Sequence, residues 1–179
     1  ELRETMDRVI VGGAQGILDC LTELKGRPRF LQVGTCEEYG AIEAPFAEDD
    51  PCGAPVSPYA AAKLEATRCC LNSESNVVVA RPFLTYGPGQ RSAGLLPTLI
   101  QAGLREDAFA MTEGLQTREF NYVEDIARDL LELLVCDEAE GKIVNLGCGE
   151  ERRVVDVARL AWAATGAAPG LLQVGAREA

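Results

Sequence analysis

Apolar positions recur along the chain with two periods. Between Met6 and Leu24 they fall at Ile10, Ile17, Leu18 and Leu21, a spacing that predicts a helix with these residues on one side. Phe30-Leu31-Gln32-Val33 predicts a short buried strand. Residues 40–58 are rich in glycine, proline and acids and predict a loop. A helix is predicted over Pro58–Leu71, with the proline in its first turn. Val77-Val78-Val79-Ala80 is an unbroken apolar run, as a strand buried on both faces requires, and Gly87-Pro88-Gly89 closes that segment. Further on, the pattern predicts a helix over 95–104, strands over 108–111 and 119–123, and a helix carrying Ile126, Leu130, Leu133 and Leu134 up to Cys136. A strand over 143–146, a helix over 154–164 and the beginning of a strand at 171–174 complete the series. Strands alternating with helices predict an α/β fold with a mainly parallel sheet. The pattern opens inside a helix and stops at a strand, so the chain is expected to be cut at both ends.

Composition narrows the chemistry. The 179 residues include 47% hydrophobic and 25% charged residues, ordinary for a globular domain. No apolar run approaches the ~20 residues of a membrane span, and the charged start Glu1-Leu2-Arg3-Glu4 has no signal core, so a cytoplasmic chain without a membrane partner is expected. The net charge of −11 argues against nucleic acid as a partner and leaves room for a small anion met by a few arginines. Seven cysteines without C-x-x-C spacing, and no histidine, argue against zinc sites and disulfide frameworks. Without histidine, proton transfer falls to Tyr, Lys, Asp, Glu or Cys.

Val11-Gly12-Gly13-Ala14-Gln15-Gly16 invites reading as a phosphate-binding loop. That loop needs a preceding strand, a tight turn and a helix start, with an acid about 20 residues on. The glycine spacing fits neither G-x-G-x-x-G nor G-x-x-G-x-x-G, and Phe30–Gly34 leads into Thr35 rather than an acid. The glycines are therefore expected to let a helix pack closely on the sheet.

Three residues have the makings of a proton relay. Thr35 follows a buried strand, and Tyr59 and Lys63 lie four apart at a helix start, on one face. Lysine is scarce here, with only Lys25, Lys63 and Lys142. A tyrosine has a pKa near ~10, too high for a base at neutral pH. An ammonium about 4 Å away would favour phenolate by about 4 kcal/mol at an effective dielectric near 20. Tyr59 could then accept a proton from a hydroxyl while Thr35 holds the same oxygen. An isolated Tyr/Lys pair at this spacing is more often a solvated helix face.

Five segments, taken in order, resemble the extended short-chain dehydrogenase/reductase family of NAD-dependent epimerase/dehydratase type. Leu31-Gln32-Val33-Gly34-Thr35-Cys36-Glu37-Glu38-Tyr39-Gly40 resembles its strand and catalytic Ser/Thr segment. Ser57-Pro58-Tyr59-Ala60-Ala61-Ala62-Lys63 is similar to its S-P-Y-x-x-x-K helix, and Ala80-Arg81-Pro82-Phe83-Leu84-Thr85-Tyr86-Gly87-Pro88-Gly89-Gln90 to its R-P-F-N-x-Y-G-P-G-Q segment. Thr117-Arg118-Glu119-Phe120-Asn121-Tyr122-Val123-Glu124-Asp125 resembles T-R-D-F-x-x-V-x-D, and Val144-Asn145-Leu146-Gly147-Cys148-Gly149-Glu150 resembles x-N-x-G-x-G-E. The resemblance runs over about residues 7 to 165, and the five segments lie between Leu31 and Glu150.

The resemblance implies a partial Rossmann-like, doubly wound parallel sheet with part of a small C-terminal substrate-binding region. Residues 1–90 would belong to the dinucleotide-binding domain, and 91–179 would mix substrate-binding and returning elements. It implies hydride transfer on a nucleotide-activated sugar with NAD or NADP, by an epimerase, dehydratase or reductase. Thr35, Tyr59 and Lys63 would form the catalytic set. Tyr59, Lys63 and Pro82 would meet the cofactor, and Glu37, Arg91 and Arg118 the substrate, with Arg118 on its diphosphate. Arg118 could instead be tied in an ion pair with Glu124 or Asp125. A homodimer through the Tyr59 helix and its neighbour is also implied. Leu84 stands where the family often has a substrate-contacting asparagine, and Ile10 where many members have asparagine. The family's first strands, glycine-rich loop and ribose-binding acid have no counterpart in this sequence. The alternative expectation is a non-catalytic truncated paralogue or subunit that associates through an open sheet edge.

Overall fold

A computed structural model describes residues 2–91 and 93–178. In chain order the helices are α1 (Leu2–Met6), α2 (Gly12–Glu23), α3 (Pro58–Leu71), α4 (Leu95–Leu104), α5 (Val123–Val135) and α6 (Val154–Thr165). The strands are β1 (Phe30–Val33), β2 (Val77–Pro82), β3 (Thr85–Tyr86), β4 (Phe109–Met111), β5 (Thr117–Glu119), β6 (Asn121–Tyr122), β7 (Ile143–Leu146), β8 (Glu151–Arg153) and β9 (Leu172–Val174). The chain divides into two compact units, Glu1–Phe83 with Glu124–Gly147, and Leu84–Val123 with Cys148–Ala179.

The first unit is a parallel sheet in the order β1-β2-β7, with Val33 opposite Ala80 and Pro82 opposite Leu146. The side chains of β2 alternate between two cores, as a strand's period of two demands. Val77 and Val79 pack with Ala14 and Leu18 of α2 and Ala66 and Cys70 of α3. Val78 and Ala80 pack with Ile126 and Leu133 of α5 and with Leu146. Helices on both faces explain why β2 is apolar at successive positions.

A π-helical turn over Asp7–Val11 joins α1 to α2. Ile10, Ala14, Leu18 and Leu21 form its inner stripe, whereas Ile17 is 46% exposed, so the predicted face is corrected at that residue. The glycines lie in this helix, as expected, but not for close packing. A methyl group on Gly13 or Gly16 would meet nothing within 4 Å, and all three glycines are exposed. Ser57 caps α3 by accepting the Ala60 N–H at 3.0 Å, and Pro58 fills the first turn, where no N–H is needed.

In the second unit, α4 and α6 share a core built on Leu99, Met111, Val154, Ala158 and Trp162. β3 pairs with β6 and β4 with β9, both parallel, and β5 pairs with β8 antiparallel. The strand predicted over 119–123 is corrected: Phe120 interrupts it, separating β5 from β6, and Val123 begins α5. No helix among the described residues is long and apolar enough to cross a membrane.

Candidate active site

The first unit brings Thr35, Tyr59, Lys63 and Pro82 to the carboxyl ends of its parallel strands, where open α/β sheets carry their ligands. Thr35 follows the end of β1 by two residues, and Pro82 is the last residue of β2. Two bridges tie the Thr35 segment to α3. The Lys63 ammonium donates to the Val33 carbonyl at 2.7 Å, and the Ser57 hydroxyl donates to Glu37 Oε2 at 3.2 Å. Thus one serine caps the helix and fastens it to the neighbouring acid.

Thr35 is extended, with φ −163° and ψ 150°, and begins a 3-10 turn over Cys36–Tyr39. Its Oγ1 accepts the Glu37 N–H at 3.3 Å, and its own N–H donates to Glu38 Oε1 at 3.0 Å. This reciprocal exchange is the capping-box arrangement compressed into one turn. With an N–H already directed at it, Oγ1 retains its proton for donation to a ligand oxygen.

Glu38 is fully buried and so is Arg81, whose Nε donates to Glu38 Oε2 at 2.9 Å. The Arg81 guanidinium lies 4.5 Å over the Tyr39 ring, and its Nη2 donates to Cys52 Sγ at 3.6 Å. The Tyr39 hydroxyl donates to Asn145 Oδ1 at 2.7 Å, and Tyr39 stacks on Phe46 with ring centres 4.8 Å apart. Asn145 then anchors the 40–57 loop, giving its Nδ2 hydrogen to the Phe46 carbonyl and its backbone N–H to Glu48. Sequence reasoning assigned no role to this buried network. The available signal was Arg81 itself, a charge directly after four buried residues, which requires a buried acid somewhere in the fold.

Electrostatics at Tyr59 run opposite to the expectation from spacing. Burial raises its pKa, and the charges of Glu37, Glu38 and Cys36 raise it further. Lys63 does not offset them: its ammonium sits 5.8 Å from the Tyr59 ring centre and is directed at the Val33 carbonyl. Burial lowers the Lys63 pKa, and the Glu38 charge partly opposes that shift. The surroundings of Tyr59 thus shift its pKa upward, opposite in direction to the expected poise near neutrality.

Glu37 is exposed. Arg91 and Arg118 belong to the second unit and are also exposed. Arg91 lies past the Gly87-Pro88-Gly89 turn, and its carbonyl accepts the Gly94 N–H at 3.3 Å. Arg118 donates to the Thr117 carbonyl at 2.7 Å and stands opposite Arg152 in the β5–β8 register. Asp125, one of its alternative partners, is paired with Arg128. Asn121 joins two motif segments of this unit, donating its N–H to Leu84 and accepting the Cys148 N–H at 2.8 Å. No group of three or more His, Cys, Asp or Glu residues able to hold a metal occurs among the described residues.

A two-sided α/β layer with tyrosine, lysine and threonine at its carboxyl edge defines a Rossmann-like short-chain dehydrogenase architecture. The pattern of the NAD dependent epimerase/dehydratase family matches residues 3–147, and the chain belongs to that family. It is 33% identical over 159 residues to a UDP-N-acetyl-alpha-D-glucosaminuronate decarboxylase of Bacillus cytotoxicus, covering 82% of this chain and 49% of that protein. It is 34% identical over 150 residues to a dTDP-glucose 4,6-dehydratase of Streptomyces griseus, covering 79% and 44%. The crystal structure of a UDP-glucuronic acid 4-epimerase from Bacillus cereus, in complex with UDP-glucuronic acid and NAD, superposes with a TM-score of 0.80 at 25% identity, covering 92% of this chain and 52% of that one. The chain thus spans about half the length of these relatives.

Proposed function

We propose that this chain carries the catalytic segment of an NAD- or NADP-dependent enzyme that alters a nucleotide-activated sugar by hydride transfer, as an epimerase, dehydratase or reductase. The observation that supports this most is the convergence of Thr35, Tyr59 and Lys63 at the carboxyl ends of a parallel sheet in a chain of this family.

When bound, the nicotinamide supplies the hydride acceptor or donor. The residues present suit its ribose end: Lys63 spends one of three ammonium hydrogens on Val33 and has two for ribose hydroxyls, and Pro82 closes β2 without an N–H. The Gly12, Gly13 and Gly16 helix offers no pyrophosphate cradle. Thr35 donates its hydroxyl hydrogen to the reacting sugar oxygen and fixes its position. Tyr59 exchanges a proton with that oxygen. The upward shift of its pKa favours the phenol, the form that protonates an oxygen gaining negative charge as a carbonyl is reduced. Sugar oxidation needs that proton to leave first. Arg118 and Arg91 are proposed ligands of the substrate diphosphate, where a guanidinium fork matches two oxygens. Glu37 is the proposed substrate-side acid; acting as a base in dehydration would require release of Ser57.

A second reading is a non-catalytic chain that associates through the outer edge of β1, which pairs only with β2 among the described residues. NADH and NADPH fluorescence titrations with a nucleotide-sugar panel separate the two. Saturable binding with turnover that falls at least 100-fold in Tyr59→Phe is the expected result for the first reading. A folded chain with neither binding nor turnover, but with concentration-dependent association, supports the second.

A further inference from the structure

The buried Glu38–Arg81 pair has a task that the proton relay does not account for. We infer that Glu38 and Arg81 are positioning residues for Thr35: the carboxylate holds the Thr35 backbone while the guanidinium holds the carboxylate. This rests on the reading that Thr35 orients the reacting oxygen.

The two oxygens of Glu38 divide the work. Oε1 accepts the Thr35 N–H at 3.0 Å, and Oε2 accepts Arg81 Nε at 2.9 Å. Glu38 and Arg81 are each about 1% exposed, so neither bond is exchanged freely for water. Gly34 provides the necessary room. A side-chain carbon there would lie 2.3 Å from Glu38 Oε1 and 3.2 Å from the Ala80 carbonyl. The Gly34 N–H itself donates to Ala80 at 2.7 Å, so the backbone before Thr35 is clamped to β2 on one side and to Glu38 on the other. Arg81 is rooted in the central strand, opposite Asn145 of β7, and is braced over the Tyr39 ring. A chain of contacts therefore runs from the middle of the sheet to the Thr35 backbone. If the pair served stability alone, an apolar pair of similar volume would replace it, since buried ion pairs are often matched or bettered by such replacements. A positioning role differs, because an apolar pair leaves the Thr35 N–H without its acceptor.

The test is amide hydrogen exchange by NMR on the full chain, comparing the wild type with Glu38→Leu/Arg81→Met. The Val79 N–H, bonded to the Lys142 carbonyl at 2.9 Å, serves as an internal reference. Thr35 exchange at least tenfold faster, with Val79 exchange and Tm unchanged, is expected. Unchanged Thr35 exchange in a folded double variant overturns the inference. Should the double variant not fold, Glu38→Gln decides. Its single acceptor oxygen faces two donors and is drawn to the charged Arg81, so faster Thr35 exchange supports the inference and unchanged exchange overturns it. Thr35→Val keeps the amide bond to Glu38 and removes only the hydroxyl. Unaltered turnover in that variant removes the reading beneath the inference, whereas the exchange result stands or falls by itself.

Discussion

At the scale of single residues, tyrosine protonation is the property most open to test. Tyr59 and Tyr39 are both shifted upward, chiefly by burial, so each holds its proton past the ordinary phenol value of about 10. The native state then binds these protons more tightly than the unfolded chain. The resulting stability is fully present below about pH 10 and is lost as pH rises through the raised pKa values. Absorbance titration of phenolate should show late-titrating tyrosines, with one lost in Tyr59→Phe; an unchanged curve would contradict the assigned environment. Ser57→Ala should destabilise by about 1 kcal/mol through the lost cap, measured by urea unfolding, and should also free Glu37. The places of Thr35 after β1 and of Tyr59 and Lys63 in the first turns of α3 were legible from the sequence, because strand end and helix start are local signals. The Glu38–Arg81 contact was not: 43 residues separate the partners, and nothing local to either indicates the other. The upward direction of the Tyr59 shift was hidden for the same reason. Spacing brings Lys63 near the ring, but only the fold gives its ammonium a backbone carbonyl to bind.

At the scale of elements, the strongest patterns translated most directly. Helix α3 starts and stops where Ser57-Pro58 and Leu71 indicate, because cap chemistry marks its beginning. Helix α5 and strands β1 and β7 also lie where their apolar residues put them. Strand β8 left no trace in the pattern, since Glu151-Arg152-Arg153 is polar throughout and exposed, and only its pairing with β5 makes it a strand. The glycines of α2 carry a separate consequence. Gly13 and Gly16 lie within a helix, exposed, with open space around a would-be methyl group. Gly13→Ala and Gly16→Ala should each stabilise by about 0.5–1 kcal/mol in thermal or urea unfolding. A loss of stability would mean that these positions need glycine for a reason absent from this fold.

At the scale of the whole molecule, the two units have separate cores, around β2 in one and around Trp162 in the other. Val79→Ala should cost about 2–3 kcal/mol and act first on the unit containing it. Native-state hydrogen exchange would register this as faster exchange in β1, β2 and β7 than in α4 and α6; equal acceleration everywhere would show that the units unfold as one. The chain passes between the units at Phe83, Val123 and Gly147, so the first unit is assembled from stretches that are not continuous in sequence. This interleaving sets a schedule during synthesis. Strand β2 follows β1 in the chain, but its other partner, β7, comes only after about 60 further residues. At ~5–20 residues per second, the edge Val77–Pro82 waits several seconds on the ribosome with its hydrogen-bonding groups open. Slow decoding between residues 84 and 142 would lengthen that wait, making translation speed across the second unit's first stretch a determinant of how much chain reaches the folded state rather than pairing with its neighbours.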